Sequence, residues 1–309
     1  MMSGRSVAAY CRGAFCTRLG THECGLPADI GCNRPRQRKG GGSKLSIALM
    51  NKMQKRIAVI EIFGAIGGAV KSPEMDRLLN TARDDHRIKA VVLDVDSPGG
   101  GSSASDYIYR SVKRLAERKP VIAAIRGTGA SGSYMIACGA QRIVASPGAI
   151  IGSIGVISVR PVLEDLLERA GIKVNVNKTG AYKDMGALWR EATPEEQEKM
   201  QSLIDDIFGD FVAIVSEARG LEESAVRDLA TGEVYLAERA RELGLVDELG
   251  DLHRAIDIAA ELSGAPPVPV YLRPKRTLRQ MLFGSAAESL VQAVADQVEQ
   301  RIFQSRFRL

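Results

Sequence analysis

From residue 56 onward, short β-branched runs alternate with stretches whose apolar positions recur every three to four residues. That alternation predicts a wound α/β domain in which crossover helices bury the strands. Ile57 to Phe63 reads as the first strand, and Ser72-Pro73 as a helix start with Ser as N-cap and Pro at the first helical position. Ala90-Val91-Val92-Leu93-Asp94-Val95 is a second strand, apolar enough to be buried on both faces. It runs into Asp96-Ser97-Pro98-Gly99-Gly100-Gly101, and the helix beyond sets Ile108, Val112 and Leu115 on one side. The next unit repeats this plan, with Val121 to Ile125 as strand, Gly127 to Ser133 as glycine-rich turn and Tyr134 to Cys138 as the apolar start of a helix. Two such turns open at the carboxyl edge of one sheet, where sheets of this kind bind ligands, and that edge is the candidate site.

Further on come the apolar Ile143 to Ala145, then Ile150 to Val156, a helix through Leu163 and Leu167, and a strand at Lys173 to Asn177. Lys183 follows in Gly180-Ala181-Tyr182-Lys183-Asp184. After Pro194 a long helical pattern with acidic first-turn residues runs past Phe211, and shorter helices fill the chain to about Leu262. The expected organisation is an extension over 1–55, one α/β domain over 56–262, and a linker with a C-terminal helix over 263–309.

Charge separates the ends from the middle. Residues 1–48 carry eight Lys/Arg against two Asp/Glu, residues 273–309 seven against three, and the middle 27 against 32. A mildly acidic core has no nucleic-acid footprint, which needs basic side chains gathered on the folded surface. The N-terminal stretch holds Cys11, Cys16, Cys24 and Cys32 with no C-x2-C pair. Its composition is that of a loose extension, and being Arg-rich and acid-poor it reads as a transit peptide or as residues upstream of a start near Met50 or Met53. The longest apolar run, Ile57 to Val70, contains Glu61, Gly64, Gly67 and Gly68, which suits a strand and turn rather than a membrane span.

Gly127, Gly129 and Gly132 match G-x-G-x-x-G, but no Asp or Glu lies between Gln141 and Leu163 to hold a ribose, so a dinucleotide site is poorly supported. Ser131 has two readings: a helix N-cap, or a nucleophile beside N–H groups that could hold an oxyanion. It is not a G-x-S-x-G elbow, since Ser133 stands at the fifth position. The three histidines, His22, His86 and His253, adjoin neither glycine turn. A lysine with a lowered pKa can take the base's part, and Lys183 is a candidate.

Together, Asp96-Ser97-Pro98-Gly99-Gly100-Gly101, Ala130-Ser131-Gly132, Gly152-Ser153-Ile154-Gly155-Val156 and Tyr182-Lys183-Asp184 resemble the short, single-repeat bacterial signal peptide peptidases. The resemblance covers about residues 56 to 262. It implies the ClpP/crotonase fold, a wound ββα-type spiral with flanking helices in a single catalytic domain, and a serine endopeptidase acting on signal or membrane-associated peptides. It further implies Ser131 as nucleophile, Lys183 as general base, Ser153 as the hydroxyl orienting the lysine, and Gly100 and Gly132 as oxyanion donors. No cofactor or metal is implied, and a homo-oligomeric ring is. Family members usually carry a second Gly and paired tyrosines after the nucleophile, where this chain has Ser133-Tyr134-Met135. Ser133 is therefore expected to narrow the pocket or to offer another hydroxyl.

The typical N-terminal membrane helix is missing from the pattern, so the expected location is cytoplasmic or peripheral to the inner membrane. Near-helical spacing of Leu282, Phe283, Leu290, Val291, Val294, Val298 and Ile302 among arginines fits either a membrane-surface helix or packing on a neighbouring subunit. Two rival functions share the fold: a crotonase-like acyl-CoA enzyme, which has no use for a serine–lysine pair, and an inactive oligomeric scaffold.

Overall fold

The computed structural model describes residues 55–274 and position 297. The expectations for the N-terminal extension, its cysteines and the C-terminal amphipathic stretch lie outside the described residues. Five parallel strands build the body of the sheet: β1 (Arg56–Phe63), β2 (Ile88–Ser97), β3 (Val121–Ala130), β4 (Arg142–Ala145) and β5 (Ile150–Gly152). Three short strands extend it: β6 (Val234–Leu236) antiparallel to β5, β7 (Glu248–Leu249) beside β4, and β8 (Pro269–Leu272) beside β1. β3 is forked, its first half pairing with β4 and its last three residues, Thr128 to Ala130, with β5.

The central strands are apolar on both faces because both faces are covered. Ile60, Leu93 and Ile125 pack with α1 (Ser72–Asp84), α2 (Ser102–Ala116), α3 (Gly132–Ala137) and α5 (Pro194–Arg219). On the other face Val59, Val92 and Ala124 meet Ala255 and Ala259 of α8 (Leu252–Ser263). Between these lie α4 (Glu164–Arg169), α6 (Glu223–Leu229) and α7 (Ala237–Glu242). No helix among the described residues is long and apolar enough to cross a membrane.

Four local expectations change. Ser72 is the first helical residue of α1 and Lys71 is its N-cap, with no side-chain capping bond. Gly127 and Gly129 belong to β3 rather than to a turn, so only Gly132 of the three opens a helix and the dinucleotide pattern has no loop to occupy. Residues 173–177 form no strand, because no sheet edge lies beside them to supply partners. The sheet also continues past the expected domain end at 262, since β8 pairs with β1 through Ile57↔Pro269 to Ile60↔Leu272.

Candidate active site

The parallel strands β2 and β3 set their carboxyl ends side by side, and the two glycine-rich segments meet there. Ser97 Oγ accepts a hydrogen bond from Gly99 N at 3.1 Å, which tightens the turn after β2. The loop after β1 then crosses it: Ile66 N donates to Gly99 O at 2.8 Å, and Gly101 N donates to Ile66 O at 2.9 Å. Gly100 is held between these bonds at φ 151°. Its own N–H has no hydrogen-bond partner among the described residues, nor does the N–H of Gly132. The second is free because the first helical positions have no carbonyl one turn back. A Cβ on Gly132 would stand 3.7 Å from Gly100 N, so the two turns present their N–H groups in one neighbourhood.

Ser131 lies between β3 and α3 with φ 53° and ψ −126°. It occupies the N-cap position, but its side chain makes no capping bond. Its backbone N–H continues the sheet by donating to Gly152 O at 2.8 Å. Ser153, one residue beyond that carbonyl, has φ 48° and donates its N–H to Glu233 O at 2.7 Å. Among the described residues these two serines are the only non-glycines with positive φ. Such conformations cost about 1–3 kcal/mol each and gather at functional sites, where the surrounding fold enforces them. A sharp strand-to-helix turn of this kind exposes a serine hydroxyl at the top of a sheet.

The fold locks the two turns together through buried hydroxyls and close backbone contact. The expectation that Ser133 narrows the pocket or offers it a hydroxyl is corrected. That side chain is fully buried, and its hydroxyl proton is shared between Ser97 O at 2.6 Å and Ala130 O at 2.8 Å. Gly99 leaves no room for a Cβ, which would come within 2.8 Å of Ala130 O, Gly132 N and Ser131 Cβ. Ser105, buried in α2, lies against Gly132 and donates to Gly101 O at 3.0 Å. Serines that tie turns to carbonyls have no sequence signature apart from the glycines beside them. His86 and His253 are both exposed. Cys138 is buried in the core, and burial pushes its thiol up to about 12, so it is inert rather than nucleophilic.

Lys183 is placed differently. It sits in an exposed turn where its backbone N–H donates to Gly180 O at 3.2 Å. Its amine forms no hydrogen bond with Ser131 or Ser153, or with any other described residue. The structure thus brings Ser131, Ser153, Gly100 and Gly132 together and leaves Lys183 on a separate arm spanning residues 157–193. That arm exposes large apolar side chains: Ile157 is 61% exposed, Val159 80%, Leu166 62% and Ile172 54%.

Polar contacts fasten residues 178–190 to the start of α5. Asp184 accepts from Lys178 Nζ at 2.6 Å and from Arg190 Nε at 3.1 Å, and Arg190 also donates to both oxygens of Glu196. Glu196 completes a capping box with Thr193 at the start of α5. Hydrogen bonds from Arg190 and then Lys178 hold the Asp184 carboxyl well below the usual range, and Arg190 and the Thr193 N–H lower Glu196 to about 2. Unfolded carboxyls titrate near 3.9 and 4.3, so this network supports the fold fully above about pH 5 and loses that support as pH falls towards 2. Trp189, the one tryptophan in the chain, adjoins Arg190 and reports the change. Its emission is expected to shift with an acid midpoint below about pH 4, and to shift at higher pH in Glu196→Gln. Emission unchanged down to pH 2, or the same midpoint in both proteins, would contradict this.

A strained serine beside two unpaired main-chain donors at the edge of a wound sheet is the arrangement that acyl-transfer enzymes use, their backbone N–H groups stabilising the oxyanion of carbonyl attack. Comparison with known sequences narrows the class. Peptidase family S49 matches residues 113–265. A protein named putative protease slr0021 from Synechocystis sp. is 39% identical over 247 residues, covering 79% of this chain and 87% of that one. The chain belongs to peptidase family S49 and is a serine protease. The putative signal peptide peptidase SppA of Enterococcus faecium is 34% identical over 58% of this chain and 52% of its own length. Protease 4 of Haemophilus influenzae is 34% identical over 67% of this chain, which spans only 35% of that longer protein. Among solved structures, a mutant of the 1510-N membrane-bound stomatin-specific protease with a substrate peptide aligns over 78% of this chain and 99% of its own, at a TM-score of 0.47 and 19% identity.

Proposed function

We propose that the protein is an endopeptidase that cleaves signal peptides or other membrane-associated peptides through a Ser131/Lys183 dyad, in a homo-oligomer whose contacts bring Lys183 to Ser131. The observation that carries the reading is the strained Ser131 beside the unpaired N–H groups of Gly100 and Gly132. The apolar arm supports the assembly. Exposed Ile157, Val159, Leu166 and Ile172 make a surface that a second copy of the chain would cover, and covering it would desolvate the lysine carried on the same arm.

In the reaction, neutral Lys183 accepts the proton of Ser131 Oγ as that oxygen attacks the peptide carbonyl. The Gly100 and Gly132 N–H groups hold the oxyanion, and Ser153 orients the lysine amine. The protonated lysine then gives its proton to the leaving amine. Water, deprotonated by the same lysine, releases the acyl group and regenerates the serine.

Mixing tests the shared site. Ser131→Ala is expected to be inactive and to take no fluorophosphonate, and Lys183→Ala to be inactive in cleavage and to label only slowly. Co-refolded together, they are expected to recover peptide cleavage, because some sites then combine an intact serine with an intact lysine from another copy. Two inactive variants that stay inactive when mixed would overturn the shared site. A wild-type protein that takes no label would favour the inactive scaffold, and a Lys183→Ala protein that labels normally would remove the dyad.

A further inference from the structure

One guanidinium ties the turn that carries Lys183 to the start of α5. Arg190 reaches backwards to Asp184, the residue after the lysine, with Nε 3.1 Å from Oδ2 and Nη2 3.0 Å from Oδ1. It reaches forwards to Glu196, with Nη1 2.8 Å from Oε2 and Nη2 2.5 Å from Oε1. The Glu196 side chain is only 4% exposed, and Oε2 also accepts from Thr193 N at 3.1 Å, so the forward anchor is the first turn of a 26-residue helix. Lys178 closes the turn from its other side, with Nζ 3.0 Å from Ala181 O and 2.6 Å from Asp184 Oδ1. Lys183 lies inside this bracket without belonging to it.

We infer that Arg190 is a positioning residue for the general base: it clamps the Lys183 turn to the N-terminus of α5 and keeps the Asp184 carboxylate engaged away from the lysine amine. The inference rests on the reading of Lys183 as base. An amine on a loose turn has many placements to lose when it meets Ser131, whereas an amine on a turn already pinned at 184 and 196 has few. The guanidinium suits the task because its planar fork bonds two carboxylates at once, which a lysine ammonium at position 190 could not do in the same geometry. Arg190 shares the Asp184 carboxylate with Lys178, so its loss would leave Lys178 as the only cation holding a carboxylate that is next in sequence to an amine that has to be neutral to work.

The test uses the full-length chain and two readouts, cleavage of a fluorogenic peptide and the rate of fluorophosphonate labelling of Ser131. Arg190→Ala is expected to lower kcat and the labelling rate about 10- to 100-fold, the scale of a displaced catalytic group, with KM changed less than about twofold. Arg190→Lys is expected to fall between it and wild type. In a Lys183→Ala background, Arg190→Ala is expected to slow the residual labelling no further, since a residue that acts only through the lysine has nothing left to position. Wild-type rates in Arg190→Ala, or an equal further loss in the double variant, would overturn the inference, the latter assigning Arg190 a general structural role. If Arg190→Ala fails to assemble, the same cycle is read with Arg190→Lys. Normal labelling of Lys183→Ala alone would instead sink the dyad on which the inference depends, so the two failures are distinguishable.

Discussion

Ser131→Ala is expected to lower peptide cleavage by roughly 10⁵-fold or more, the scale seen when a serine protease loses its nucleophile. Two features make this a chemical loss rather than a folding defect. The Ser131 side chain makes no capping bond to α3, so its removal leaves no buried partner unsatisfied. The bond that fixes the residue, from its backbone N–H to Gly152 O at 2.8 Å, is kept by any residue except proline. Alanine retains the Cβ and therefore the strain at φ 53°, so Ser131→Ala is expected to melt close to wild type. Ser131→Gly loses the Cβ as well, and is expected to be equally inactive yet more stable by about 1 kcal/mol. Melting curves and cleavage assays on the three proteins check this. Substantial cleavage by Ser131→Ala would remove the nucleophile, and a Ser131→Gly protein no more stable than Ser131→Ala would mean that the backbone there is unstrained.

That strain also separates what the amino-acid sequence makes legible from what it does not. Strands β1, β2 and the first half of β3 were legible because burial on both faces leaves continuous β-branched runs, and α2 because Ile108, Val112 and Leu115 recur at helical spacing. The stretch from Arg126 to Ala130 was not, since its glycines are turn formers by local preference. The fork of β3 overrides that preference by pairing Thr128 to Ala130 with β5. Residues 173–177 show the converse: alternating Val174 and Val176 look like a strand, yet they lie on the exposed arm where no neighbour pairs with them. At the site, Ser131, Gly132 and Gly100 were legible as residue types in glycine turns. The hydroxyl links through Ser97, Ser105 and Ser133 were not, because hydrogen bonds that cross from one strand end to the next have no period. The Arg190 clamp was hidden for a similar reason: charged residues over 178–196 read as a solvated surface until their spacing in three dimensions is known.

Gly100→Ala is expected to cost about 10²- to 10³-fold in kcat, the effect of losing one oxyanion donor, and to destabilise the turn as well. The residue is confined twice over. At φ 151° it occupies backbone space that L side chains rarely enter, and an added Cβ would stand 2.2 Å from Ile66 O and 2.7 Å from Ile66 N. Those are backbone atoms engaged in the bonds from Ile66 N to Gly99 O and from Gly101 N to Ile66 O, so relief of the clash has to break the contact that fixes the turn. Moving the turn turns the Gly100 N–H away from the place where it would meet an oxyanion beside Gly132. The neighbouring glycine supplies the control. Gly101 caps α2 at φ −57°, and its added Cβ would come no closer than 3.8 Å to Ile66 O. Gly101→Ala is therefore expected to fold and cleave at near the wild-type rate, with a cost in stability of about a kcal/mol or less for the poorer N-cap. Parallel measurement of kcat and melting temperature separates the two sites. If Gly100→Ala cleaves as fast as Gly101→Ala, the N–H of Gly100 takes no part in holding the transition state, and the oxyanion has to be held by Gly132 together with some other donor.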